Sequence, residues 1–170
     1  MSAVDFIEKW RLAKNYLGKP SVGIHVGWDQ IPQDSEVKQL SGEEAWEKIY
    51  EFTPPWFKKP TTFKDLFKSK NSDYQQIVKE ETDNGKINYY KTKGLTDTSF
   101  CAFSNPEESL VILGDGNHRL FDCVYLIEKG YNFLPEIEKV TIDLLLLRNF
   151  DQVLQINIIW QNFEVQPGQK

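Results

Sequence analysis

Two short apolar runs, Leu110-Val111-Ile112-Leu113 and Val140 to Leu147, constrain this chain more than any other feature. Each is too short for a helix core and is bounded by polar residues, the pattern of a strand buried on both faces. Between them Leu120, Phe121, Val124, Tyr125 and Ile127 recur at helical spacing up to Gly130, a C-cap residue. A strand–helix–strand unit of this kind predicts a mixed α+β fold.

The remaining segments add elements around that unit. Phe6, Trp10, Ala13 and Leu17 mark one face of an N-terminal helix, which Gly18 and Pro20 stop. Val22, Ile24 and Val26 alternate as a strand does. Ser41-Gly42-Glu43-Glu44 reads as a capping box opening a helix through Trp46, Ile49 and Phe52, ended by Thr53-Pro54-Pro55. Thr62 and Asp65 open a short helix with Phe63, Leu66 and Phe67. Asp83-Asn84-Gly85, followed by Ile87, Tyr89 and Tyr90, predicts a hairpin within 74–92, with a helix over 73–82 as the alternative. Phe150 to Phe163 reads as a closing helix and residues 165–170 as a frayed tail. No repeat, low-complexity segment or linker divides the 170 residues, so one domain is expected.

Composition excludes several classes. Two cysteines, Cys101 and Cys123, are too few for a disulfide scaffold or a four-thiolate zinc site. A net charge of -5 argues against a broad duplex-DNA surface, though it leaves room for a small basic pocket. No apolar run has the roughly 18 residues of a membrane span, and no signal peptide is recognisable, so a cytoplasmic protein without membrane association is expected.

The chemistry concentrates in Leu113-Gly114-Asp115-Gly116-Asn117-His118-Arg119-Leu120, between the first buried strand and the following helix. Two glycines permit a sharp turn and close backbone approach, and a helix amino terminus presents N–H groups and a positive dipole end to an anion. Two cations in the first helical turn, His118 and Arg119, disfavour the helix unless an anion offsets them. The competing reading is structural: Asp115 or Asn117 caps the helix, His118 is a hydrogen-bonded surface residue, and Arg119 pairs with Glu107 or Glu108.

Asp115-Gly116-Asn117-His118-Arg119, after a strand and before a helix, resembles the D-G-x-x-R signature of the ParB/sulfiredoxin-like superfamily. That group includes chromosome-partitioning ParB N-terminal domains, sulfiredoxin, free-serine kinases and nuclease-like or plasmid-borne proteins. The resemblance covers residues 109 to about 147 and implies a compact single domain, here with extra N-terminal helices, whose motif loop holds nucleotide phosphates. It implies nucleotide binding by Gly114, Gly116, Asn117, His118 and Arg119, and catalysis by His118, Arg119 and Asp115. ATP and Mg2+ are the implied cofactors, the ion held by Asp115 or a glutamate such as Glu107. The nucleophilic cysteine of sulfiredoxin is replaced by Asn117, which argues against sulfinic-acid reduction. Arg119 stands alone where partitioning proteins carry several arginines, and the chain ends at residue 170 with no DNA-reading domain, so a DNA clamp is not expected.

The expected function is ATP hydrolysis or phosphoryl transfer, positioned by the loop and neutralised by His118 and Arg119. The alternatives are a metal-dependent DNA nuclease using the same pocket, and a non-catalytic interaction or inhibitor protein on the same fold. Secondary candidates are His25, which could face the same pocket, and the carboxylates Glu107, Glu108 and Asp122. Asp143 interrupts a buried strand and either finds a partner or points outward; Cys123 reads as core. Trp28, Trp46, Trp56 and Phe57 offer a possible stacking surface near Pro54 and Pro55. Lys58, Lys59, Lys64, Lys68 and Lys70, interleaved with Phe63 and Phe67, form a basic run for nucleic acid or an acidic protein partner, or else a solvated helix face.

Overall fold

The computed structural model describes residues 1–15, 24–55, 60–132, 136 and 138–156. Along the chain run α1 (Ala3–Asn15), β1 (Ile24–Val26), a single 3-10 turn (Trp28–Gln30), β2 (Val37–Ser41), α2 (Gly42–Ile49) and β3 (Phe52–Thr53). They are followed by α3 (Phe63–Ser69), α4 (Ser72–Asp83), α5 (Lys86–Lys93), β4 (Ser99–Ser104) and β5 (Val111–Asp115). The last described elements are α6 (Asn117–Glu128), β6 (Thr141–Leu146), α7 (Phe150–Val153) and β7 (Leu154–Ile156). The fold is mixed α+β, as the strand–helix–strand unit predicts.

Five strands form a mixed sheet in the order β2-β6-β4-β5-β3, and β1 pairs with β7 in a separate antiparallel ribbon. β4 is central, parallel to β6 and antiparallel to β5. Side chains alternate across the sheet, so neighbouring residues enter different cores. Phe100, Ala102, Val111, Leu113, Ile142 and Leu144 join the core beneath α2, α3, α4 and α6. Cys101, Phe103, Ile112 and Leu145 join the opposite core, closed by Phe6 and Trp10 of α1 and by Val153 and Leu154. Burial on both faces is what the two apolar runs require.

Several local expectations are met. Thr62 caps α3 by accepting from the Asp65 amide at 3.1 Å. α6 ends with Gly130 at a φ of 85°, its amide and that of Tyr131 returning to the carbonyls of Ile127 and Leu126. Cys123 is fully buried, and Phe63 and Phe67 point into the core.

Others are overturned. The hairpin at Asn84-Gly85 is instead a helix–helix turn joining α4 to α5. Tyr74, Ile77 and Glu81 share one buried face of α4, and Asn71 caps that helix by accepting from the Tyr74 amide at 3.1 Å. Ser41, the last residue of β2 and the N-cap of α2, makes no side-chain cap; α2 stops at Ile49, and Phe52 enters a strand. The closing helix lasts only from Phe150 to Val153 before the chain pairs with β1, and 157–163 lie outside the described residues, as do 16–23 and the tail. Trp28 packs edge-on against Phe103 in one core, whereas Trp46 packs against Tyr50 beside the other, so they form no common stacking surface. Trp56, Phe57, Lys58 and Lys59 lie outside the described residues. Among the described residues no helix is long and apolar enough to cross a membrane.

Candidate functional site

The β5–α6 turn is shaped by its glycines for two different reasons. A Cβ on Gly114 would lie 2.6 Å from Phe103 Cε2 and 3.0 Å from Cys101 Sγ, so β5 passes β4 closely only without a side chain there. Gly116 has a φ of 86°, which favours glycine, and its Cβ would lie 2.4 Å from Phe100 and 2.6 Å from Arg119 Nη2. It therefore also clears space for a stack.

That stack is Arg119 on Phe100, with the guanidinium carbon 4.4 Å from the ring centroid. Arg119 Nη1 donates to Asp97 Oδ2 at 2.9 Å and Nη2 to the Ser99 carbonyl at 3.1 Å. Its side chain is only 16% exposed. The arginine thus clips the start of β4 to the first turn of α6, and its partner is Asp97 rather than Glu107 or Glu108. Asn117 donates from Nδ2 to the Leu113 carbonyl at 3.2 Å, tying the helix start back to β5. Of Asp115 only the backbone is described, opposite Cys101.

His118 behaves differently from its neighbour. Its side chain is 60% exposed, yet Nδ1 lies 2.5 Å from Glu81 Oε1 on α4. Glu81 is buried, and beyond it stands Asp122, with no solvent exposure at all. His118 and Asp122 occupy positions i and i+4 of α6, one above the other on the face that meets α4. Neither Asp122 oxygen nor Glu81 Oε2 meets a protein donor. Two ionised carboxylates would only face each other as acceptors, so the arrangement is satisfied when one carries a proton and donates it to the other.

Asp122 is the one that carries it. Burial first, then the hydrogen bond and negative charge of Glu81, push its pKa up to about 9. Burial would raise Glu81 as well, but hydrogen bonds from His118 and Asp122 outweigh it and hold Glu81 below its ordinary value. The order is therefore a protonated Asp122, an ionised Glu81 and an imidazole whose Nδ1–H donates to that carboxylate. A neutral His118 in this tautomer turns an acceptor nitrogen, Nε2, away from Glu81, which is the arrangement of a general base oriented by a carboxylate.

The other candidates lie elsewhere. Glu107 is exposed in the β4–β5 turn and Glu108 is bound there by Lys38 and Lys48 at 2.8 and 3.3 Å. That turn and Asp115 stand at opposite ends of β5, roughly 13 Å of strand apart. Among the described residues no group of three or more His, Cys, Asp or Glu side chains is arranged to hold a metal. His25 is exposed in the β1–β7 ribbon, next to Val26, which packs into the core closed by α1 rather than the one beneath α6. Asp143 does not point outward: it is buried and accepts from Lys9 Nζ at 2.8 Å, Trp10 Nε1 at 2.9 Å and Gln39 Nε2 at 3.1 Å. Cys123 is made less acidic chiefly by burial, which suits an inert core thiol.

Glu81 is the residue that sequence reasoning misses. Its one signal is position: it continues the Tyr74–Ile77 face of α4, where a charged residue requires a partner across the core. No family model, curated protein or solved structure matches this chain.

Proposed function

We propose that the amino-terminal end of α6 receives a phosphate group of a nucleotide and that His118, oriented by Glu81, exchanges a proton with it. The observation that carries this reading is the 2.5 Å contact between the half-exposed His118 and the buried Glu81. A carboxylate that gives up solvent to hold one imidazole nitrogen fixes the tautomer and the direction of the other. The start of the helix, with a glycine and no side chain at its N-cap, supplies positive dipole character beside that ring. Hydrolysis or transfer of a phosphoryl group is the chemistry that uses both an anion site and a proton carrier. Arg119, engaged by Asp97 and Ser99, is in this reading a positioning residue for the turn rather than a group that touches phosphate.

The order β5, motif, α6, β6 also supports a ParB/sulfiredoxin-like unit over residues 109–147, to which α1–α5 and β1–β4 are added. A non-catalytic binding protein on this fold is the second reading. The observation favouring it is that Gly114, Gly116 and Arg119 all have structural reasons to be present.

Thermal unfolding with and without ATP and magnesium separates the two. Ligand at 100 times its dissociation constant adds about 2.7 kcal/mol, a rise of roughly 5–10 °C in Tm for a domain of this size. The rise should vanish in His118→Ala, and phosphate release should fall at least tenfold in Glu81→Gln. No rise with millimolar ATP sinks the nucleotide reading; a rise that survives His118→Ala moves the site away from α6.

A further inference from the structure

A second surface lies at the far end of α6. His118, Asp122, Tyr125 and Lys129 follow at i, i+4, i+7 and i+11, one stripe roughly 16 Å long. α5 packs against α6, and residues of both line an open cleft of about 440 Å³. Thr82, Asn88, Lys91, Tyr125, Lys129 and Tyr131 line it. The cations and rings are interleaved: Lys91 Nζ stands 4.3 Å above the Tyr131 ring and donates to its hydroxyl at 2.8 Å, and Lys129 Nζ lies 5.5 Å from the Tyr125 ring. Tyr131 nevertheless remains 44% exposed.

The charge of this face is opposite to that of the whole molecule. Residues 84–96 hold Lys86, Lys91 and Lys93 and no acidic residue, in a chain whose net charge is -5. Nearby carboxylates are turned to other partners: Asp83 pairs with Lys79 at 2.7 Å and Glu128 accepts from Tyr50 at 3.1 Å. Helix α5 buries none of its residues, although Ile87 and Tyr90 pack on the core from its inner side. Lys91 faces the cleft, and Lys86 and Lys93 project from the other side of α5.

From this we infer that the α5–α6 face binds single-stranded nucleic acid, with Lys91 and Lys129 on the phosphates and Tyr131, beside Tyr125, as the stacking platform for bases. Charge complementarity selects an anionic partner, and the exposed ring selects one that carries flat aromatic groups between its charges. A duplex hides its base faces, and an acidic peptide has none. The inference rests on this cleft and not on the proton-exchange reading of His118, so either stands if the other fails.

The experiment is fluorescence anisotropy of a labelled 12-nucleotide oligothymidylate with the full chain at 50 and 200 mM salt. Two phosphate contacts predict a log–log salt slope of about -1.4 for a single strand, or about a sevenfold loss of affinity over that range. Lys91→Glu with Lys129→Glu should lower affinity at least tenfold at 50 mM salt and flatten the slope. Tyr131→Ala should cost at least about fivefold, and Tyr131→Phe should restore most of it, because stacking needs the ring and not the hydroxyl. Polyglutamate of equal charge and a 12-base-pair duplex should compete at least tenfold less well than unlabelled oligothymidylate, an arm that needs no variant. The inference is overturned by absent binding at 50 mM salt, by unchanged binding in the lysine variant, or by equal competition from polyglutamate or the duplex.

Discussion

Asp122 and Asp143 are the same residue type, buried to nearly the same degree, on opposite sides of one sheet, and their surroundings could hardly differ more. Asp143 interrupts β6 on the α1 side and has three donors around it, one of them the Lys9 ammonium. Burial would raise its pKa, yet those hydrogen bonds and the charge of Lys9 leave it below the ordinary value. Asp122 has only another carboxyl to face and is driven the opposite way, to about 9. The lesson is that burial alone does not decide the state of an acid; the donors supplied with it do. On the α1 side the chain supplies them and gains a fixed ion pair. Beside α4 it withholds them, and the proton that stays on Asp122 keeps Glu81 charged for His118.

The largest test of this contrast is Asp143→Ala. The change strands the buried Trp10 indole N–H, while Gln39 and Lys9, both of which reach solvent, lose their acceptor. Leaving a buried donor unsatisfied costs about 1–3 kcal/mol. Chemical denaturation at pH 7 should show that loss with the m-value unchanged. A loss under about 1 kcal/mol would mean that the three donors are satisfied by water and that the two aspartates differ less than their surroundings imply.

Asp122→Asn tests the other side and should act with the opposite sense of pH. A carboxyl whose folded pKa lies above its unfolded one stabilises the fold fully only below the unfolded value. That contribution then declines as pH rises toward the folded value, by at most about 1.4 kcal/mol per pH unit for one proton. The wild type should therefore lose this contribution between about pH 4 and its folded pKa of about 9. Asparagine keeps a donor toward Glu81 without a titrating proton, so the variant should lack this slope and gain on the wild type as pH rises. Parallel stability profiles for the two proteins would show that Asp122 is ionised in the fold.

How much of this was legible in the sequence follows from the range of each interaction. The β5–α6–β6 unit was legible because apolar runs, a helical face and Gly130 are local signals. β4, the central strand, escaped notice: Phe100 to Phe103 is an apolar run with the turn signal Asn105-Pro106 just beyond it, but its central place comes from pairing on both edges. Asn84-Gly85 marked a turn correctly but not what it joins, because the dipeptide serves helices as well as strands; the Tyr74–Ile77–Glu81 spacing decides it. Within the candidate site, His118 and Asp122 were visible as motif neighbours. Glu81 lies 37 positions from His118, and only the packing of α4 on α6 brings them together. The same is true of Arg119, whose sequence context fits a phosphate ligand while its contacts with Asp97, Ser99 and Phe100 fit a strut.

The smallest expected effect sharpens the comparison most, because it asks how the three donors share the work at Asp143. Lys9 is 42% exposed, while the carboxylate it serves is 3% exposed. Lys9→Met keeps the aliphatic stem against Trp10 and removes only the charge. Solvent screening at the ammonium end limits the expected loss at pH 7 to about 1 kcal/mol. The pH dependence carries more information than that number. A carboxylate with a depressed folded pKa stabilises the fold above its unfolded pKa, and that contribution is lost as pH falls through the folded one. Without Lys9 the Asp143 pKa moves back up, so the acid limb of the stability profile should shift to higher pH. Stability profiles from pH 2 to 7 for the wild type and Lys9→Met measure that shift. Coincident acid limbs would assign the depressed pKa to Trp10 and Gln39 alone, and neutral hydrogen bonds would then suffice to make Asp143 the opposite of Asp122.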